Sequence, residues 1–166
     1  ARKAYIPEFV KTAPDRASKL TIASELAKRG LFEESTPLLE QIAQEPGGDG
    51  CDVAEPLARA YVSFKADDKV LQWSSVMIKC APEAAAGSAL RGIVYYRQHD
   101  WDNAIADFTK SLAITEDAGV RANLDNATKY KAGIEKQARA SEEDGAAARR
   151  AQEEYKRRIQ KDHEDY

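Results

Sequence analysis

Cysteine, histidine, glycine and proline are all scarce in this sequence. Its 166 residues include two Cys, two His, one Met, nine Gly and six Pro, and aromatic residues make up 8%. Two cysteines outside any Cys-x-x-Cys pair, with two histidines, leave a four-ligand structural zinc site short of donors. Few β-branched residues and few turn-formers argue against a sheet protein, whereas the abundant Ala and long charged side chains favour helix. No apolar run approaches the ~20 residues that a membrane-spanning helix needs. There is no initiator Met and no basic-then-apolar opening segment, so the chain reads as a processed or excised piece. One-sided charge is missing too: 25 basic against 28 acidic residues give −3, with no general attraction to nucleic acid. What is plentiful is charge of both signs, 32% of residues, with a mean hydropathy of −0.61. Much of the chain must therefore be solvated surface.

An internal repeat organises the rest. When 16–49, 51–84 and 85–118 are placed under one another, the offsets are 35 and 34 residues. The eighth place holds Ala23, Ala58 and Gly92, all small, and three residues later stand Leu26, Tyr61 and Tyr95, all large. The fifteenth place holds Gly30, Lys65 and His99 and reads as a turn. Small residues return at the twentieth place as Ser35, Val70 and Ala104. Leu39, Ser74 and Phe108 take the twenty-fourth place, and Ile42, Met77 and Ser111 the twenty-seventh. A small residue on one helix lets a second cross closely, and a large one a turn later fills the gap. A single helix pair cannot bury its apolar face, so successive pairs must stack and share a core.

This pattern resembles the tetratricopeptide repeat (TPR) family, whose unit is a helix–turn–helix of about 34 residues. The third unit resembles it most, with Gly92, Tyr95, Trp101-Asp102-Asn103-Ala104-Ile105 and Phe108. Lys19, Ala54 and Ser88 replace the family's early Trp, Arg91 replaces an apolar residue, and Ser74 replaces an aromatic one. The resemblance implies an all-α fold, an α-solenoid of three helix–turn–helix repeats. Helices are predicted at 16–29, 32–45, 52–65, 68–80, 85–98 and 101–114. Asp15 and Asp100 are placed to cap two of them, and Asp67 or Asp68 to cap the fourth. Pro37 and Pro56 predict late starts for their helices, because proline is tolerated only near an N-terminus.

The flanks differ from the repeats. Residues 1–15 form a lead-in with a short apolar cluster of Ile6, Phe9 and Val10. Val120, Leu124, Ala127, Lys131 and Ile134 keep an i, i+4 stripe that predicts a capping helix over 119–138. From 139 to 166 a charged helical extension follows, with Gly145 as its weak point. Residues 135–166 hold nine acidic and eight basic residues, and among few apolar ones Tyr155 and Ile159. No sustained heptad seam appears.

Nothing in the chain reads as catalytic: there is no phosphate-binding glycine loop, no H-E-x-x-H and no G-x-S-x-G. No cofactor or metal is implied. His99 at a turn and His163 in a charged tail read as ordinary surface histidines. Cys51 and Cys80 are open to two readings. Each can be a small buried apolar residue. Alternatively, antiparallel packing brings the start of one helix and the end of the next to the same side, where helix axes 8–10 Å apart allow the roughly 7 Å Cα separation of a disulfide. A bridge would place the protein in an oxidising lumen; without it the cytoplasm is the default.

What a stacked-helix array does is hold something. The TPR resemblance implies that first helices line a concave groove. It assigns to that groove Leu20, Ser24, Ala27 and Lys28 in the first unit, and Asp52, Glu55, Arg59, Val62 and Ser63 in the second. The third contributes Ala86, Ala89, Ile93, Tyr96 and Arg97, and Ile93 and Tyr96 between Arg59 and Arg97 would make an apolar patch for a peptide or helix. The carboxylate clamp that grips Hsp70 and Hsp90 C-termini falls on Leu20, Ser24, Pro56, Ala86 and Leu90, none of which matches, so that ligand is not expected. The expected function is a non-catalytic protein-binding scaffold. One alternative is a client-holding fragment of a TPR–J-domain co-chaperone, on a resemblance confined to the charged helix and the final Asp165-Tyr166. Another is an assembly element that docks or oligomerises through its C-terminal helix.

Overall fold

A computed structural model describes residues 15–46, 48 and 50–164. Among the described residues there are seven helices and no strand: α1 Arg16–Lys28, α2 Phe32–Gln44, α3 Cys51–Phe64, α4 Asp67–Cys80, α5 Ala85–Arg97, α6 Trp101–Ile114 and α7 Ala118–Glu164. The apolar cluster Ile6, Phe9 and Val10 and the terminal Asp165-Tyr166 lie outside the described residues. Two compact units divide the chain, one ending at Ala127 and one beginning at Thr128.

The first unit is an all-α helical-repeat solenoid. From α1 to α6 each helix packs on the next, and α1 on α3 and α3 on α5 as well, so that the odd-numbered helices form one layer with the even-numbered helices against it. The repeat positions are the contact positions. Ala23, Ala58 and Gly92 are buried, as are Ser35, Val70 and Ala104, and Leu39, Ser74 and Phe108 are fully enclosed. α5 crosses α6 closely, where a Cβ at Gly92 would lie 2.7 Å from Phe108 Cε1.

The backbone repeats as well. Gly30, Lys65 and His99, one per unit, all adopt left-handed φ angles of 76°, 56° and 61°. Each ends the odd-numbered helix of its unit, where a left-handed residue lets the chain reverse. Glycine adopts this region freely, whereas an L side chain costs about 1–2 kcal/mol there. We therefore expect Lys65→Gly to raise stability by about 0.5–1 kcal/mol in urea unfolding, and Gly30→Ala to lower it by about 1 kcal/mol. His99 recovers part of this cost by stacking on Trp101, with centroids 5.1 Å apart.

An ion pair joins the layers where the sequence resemblance placed an apolar residue. Arg91 on α5 donates from Nε and Nη2 to the buried Asp107 of α6 at 2.6 and 2.8 Å. That two-pronged bond explains the cation in an otherwise apolar place, and it holds the Arg91 guanidinium above its usual pKa. Within the odd-numbered layer, Arg16 on α1 clasps Asp52 on α3. Its hydrogen bond depresses the Asp52 carboxyl below the usual carboxylate range, against the opposing effect of burial. A depressed folded-state pKa means this contribution is complete above about pH 4 and fades as acid protonates the carboxylate.

Three local expectations are corrected. Asp15 and Asp100 do accept from the backbone N–H of Ser18 and Asn103, at 2.8 and 3.3 Å. Asp67 and Asp68 do not cap α4, however: the helix begins at Asp67 with Ala66 as its cap residue, and Asp67 is bound instead by Arg97. Pro37 and Pro56 do not delay their helices, since each stands sixth in α2 and α3. The carbonyls they leave without a helical donor belong to Glu33 and Asp52, both at the surface, where water can satisfy them. Finally, α7 continues unbroken through Gly145, and burial along its stripe stops at Ala127, with Ile134 54% exposed.

Candidate functional site

Positions i, i+3 and i+4 share a helix face, and on the odd-numbered helices one such face opens to solvent. Ser24, Ala27 and Lys28 of α1, Phe32 of α2, and Glu55, Pro56 and Arg59 of α3 line a cleft of about 240 Å³. A second cleft of about 520 Å³ begins at the same Arg59 and continues along Ala85, Ala86, Ala89, Leu90 and Ile93 of α5. It is closed by Ser111 and Ile114 of α6, by Thr115 and Asp117, and by Val120 at the start of α7. Glu83 and Ala84, in the loop before α5, form its rim.

Arg59 joins the two clefts. Its Nε donates to Glu55 Oε1 at 2.9 Å, one turn away, and both side chains are more than half exposed. Such an i, i+4 pair is worth only about 0.3–0.5 kcal/mol, so the guanidinium can turn to a ligand at little cost. Lys28 stands at one end of this face and Glu83 at the other, and neither forms an ion pair among the described residues. Between them the walls are mostly methyl and methylene groups, with Ile114 39% exposed.

Of the residues assigned to a groove from the sequence, Ser24, Ala27, Lys28, Glu55, Arg59, Ala86, Ala89 and Ile93 line these clefts. The others are used elsewhere. Leu20 packs half-buried against the core. Ser63 is exposed, and its hydroxyl donates to the Arg59 carbonyl at 3.4 Å. The Tyr96 ring turns towards α6, edge-on to Trp101 with centroids 5.4 Å apart. Arg97 donates to the Asp67 carboxylate and to the Val62 carbonyl, which ties α5 to the preceding repeat. Tyr96 and Arg97 are thus packing residues, and the apolar patch is built from Ile93, Ile114 and the alanines instead. Phe32, Ile114 and Val120 come from even-numbered helices and from α7, which an assignment confined to first helices could not include.

Cys51 at the start of α3 and Cys80 at the end of α4 are joined in a disulfide, with Cα atoms 5.7 Å apart. Cys80 is exposed. Among the described residues, no group of three or more His, Cys, Asp or Glu is placed to hold a metal ion, and no helix is long and apolar enough to cross a membrane. No protein-family model and no curated protein matches this chain.

Proposed function

We propose that the solenoid is a divergent array of the TPR type and that its open face binds an apolar segment of a partner protein or peptide, without catalysis. The observation that carries this reading is the meeting of two clefts at Arg59, along one face of α1, α3 and α5. An alanine-lined wall leaves room for bulky side chains or for the close approach of a helix. The clamp positions Leu20, Ser24, Pro56, Ala86 and Leu90 offer no cation, which favours an apolar segment over an acidic chaperone tail. The Cys51–Cys80 bridge supports an oxidising compartment as the place of action.

The test is selection of binding peptides from a random library on the full chain. Selected peptides should be apolar. Ile93→Asp should weaken them by at least about tenfold, as expected when a charge is buried in an apolar contact, with the helical circular-dichroism signal unchanged. Equal binding by wild type and Ile93→Asp would overturn the assignment.

A further inference from the structure

The chain has three asparagines, and only one of them has a hydroxyl residue two places on. Asn103 and Asn123 are followed there by Ile105 and Asp125, whereas Asn126-Ala127-Thr128 has the form N-x-[ST] with no proline in the middle. That tripeptide is the one whose asparagine amide accepts an oligosaccharide in the secretory lumen. Three residues alone specify little, but two independent features of the structure agree with them.

The first is the setting of Asn126. The packed stripe of α7 runs through the half-buried Val120 and Leu124 to the buried Ala127. Asn126 stands off that stripe and is exposed, as are Asp125 beside it and Ala122 one turn back. Val120 is the last residue to line the cleft that begins at Arg59, and Asn126 lies six residues on, about 9 Å along the helix axis. A bulky polar substituent on Asn126 therefore starts from solvent, outside both the core and the clefts. Asparagine is a weaker helix former than the Ala, Glu, Lys and Arg that make up most of α7. Among the described residues no hydrogen bond engages its amide. The second feature is the Cys51–Cys80 disulfide. Disulfides persist in oxidising compartments such as the lumen of the secretory pathway, which is where N-linked oligosaccharides are attached.

We propose that Asn126 is an N-glycosylation site whose donor is a lipid-pyrophosphate-linked oligosaccharide. Asn126 Nδ2 attacks the anomeric carbon of the first sugar. The C–N bond forms, the C–O bond to phosphate breaks, the amide gives up one proton, and the lipid pyrophosphate leaves. The Thr128 hydroxyl is the group that the transferase reads beside the amide. Residues two apart in a helix do not share a face, so both cannot be offered to one enzyme once α7 has formed. The transfer thus belongs to the chain as it enters the lumen, before that helix closes. This inference rests on the oxidising compartment read from the disulfide, and not on the partner that the clefts bind.

The test is translation of the full chain behind a cleavable signal segment in the presence of microsomes, read by denaturing electrophoresis. The imported chain should migrate as one slower species, and an endoglycosidase should return it to the mobility of the unmodified chain. Asn126→Gln and Thr128→Ala should each abolish the shift, Thr128→Ser should keep it, and Asn123→Gln should leave it unchanged. An imported, protease-protected chain without the shift, or a shift that survives Asn126→Gln, would overturn the site whatever the compartment. The compartment is read separately, by alkylating free thiols in intact cells that produce the protein. Bridged Cys51 and Cys80 uphold it; free thiols at both would overturn it, and with it the modification of this protein in the cell.

Discussion

Phe108→Ala is expected to lower the stability of the solenoid by about 3–5 kcal/mol in denaturant unfolding, the range for removing a buried phenyl ring. Phe108 is the largest fully enclosed side chain of the array. Its ring lies against Gly92 on α5 and at 6.5 Å from the Tyr96 ring, so its loss opens a cavity between two whole helices. The same contact predicts a change of sign at Gly92. In the wild-type background Gly92→Ala is destabilising, because its Cβ would press to 2.7 Å on Phe108 Cε1 and to 2.8 Å on Cδ1. With alanine at 108 only the Asp107 Cβ stays close, at 3.3 Å, and the propensity advantage of alanine over glycine, about 1 kcal/mol, makes Gly92→Ala stabilising. A double-mutant cycle reads this directly. Equal destabilisation by Gly92→Ala in both backgrounds would show that the close crossing of α5 and α6 is not what the pair maintains.

That contact was legible from the sequence, and the reason bounds what else could be read there. Small and large residues recurring at 34–35 residues report burial, which follows helical periodicity and needs no knowledge of partners. The left-handed turns were legible at Gly30 but not at Lys65 or His99, whose side chains do not announce a positive φ; only alignment with Gly30 points to them. The proline reading failed because it weighed the lost hydrogen bond without asking whether the freed carbonyl belongs to an exposed residue, as it does at Glu33 and Asp52. Tyr96 and Arg97 were misplaced for a different reason. Asp67, thirty residues before Arg97, takes the guanidinium, and Trp101, across a turn, takes the tyrosine ring. Such pairings depend on which residues the fold brings together, and the pattern of a single helix carries no record of them. Arg91 looked like a defect until Asp107 stood opposite. The candidate face was legible in part, since eight assigned residues line it, while Ile114 and Val120 enter from elements that a first-helix rule leaves out.

Removal of the Cys51–Cys80 disulfide is the second large effect expected, at about 3–4 kcal/mol for a loop of this length. The bridge spans 29 residues and joins the start of α3 to the end of α4, so it closes the whole middle repeat into one loop. Its main action is on the unfolded chain, whose freedom it restricts, rather than on contacts of the folded one. Cys51→Ala with Cys80→Ala should therefore leave the native circular-dichroism spectrum unchanged while shifting the denaturant midpoint markedly. Because Cys80 is exposed, a thiol reductant should reach the bond in the folded protein and reproduce the variant's stability, and should then have no further effect on the variant itself. The location of the loop adds a second expectation. In a stacked array each repeat is stabilised by its neighbours, and among the described residues α3–α4 is the only repeat with one on both sides. Loosening it removes support from α1–α2 and α5–α6 together, so amide exchange should accelerate first in α3 and α4 and then on both flanks. A loss below about 1 kcal/mol, or faster exchange confined to the residues beside the two cysteines, would show that helix packing alone holds the middle repeat closed.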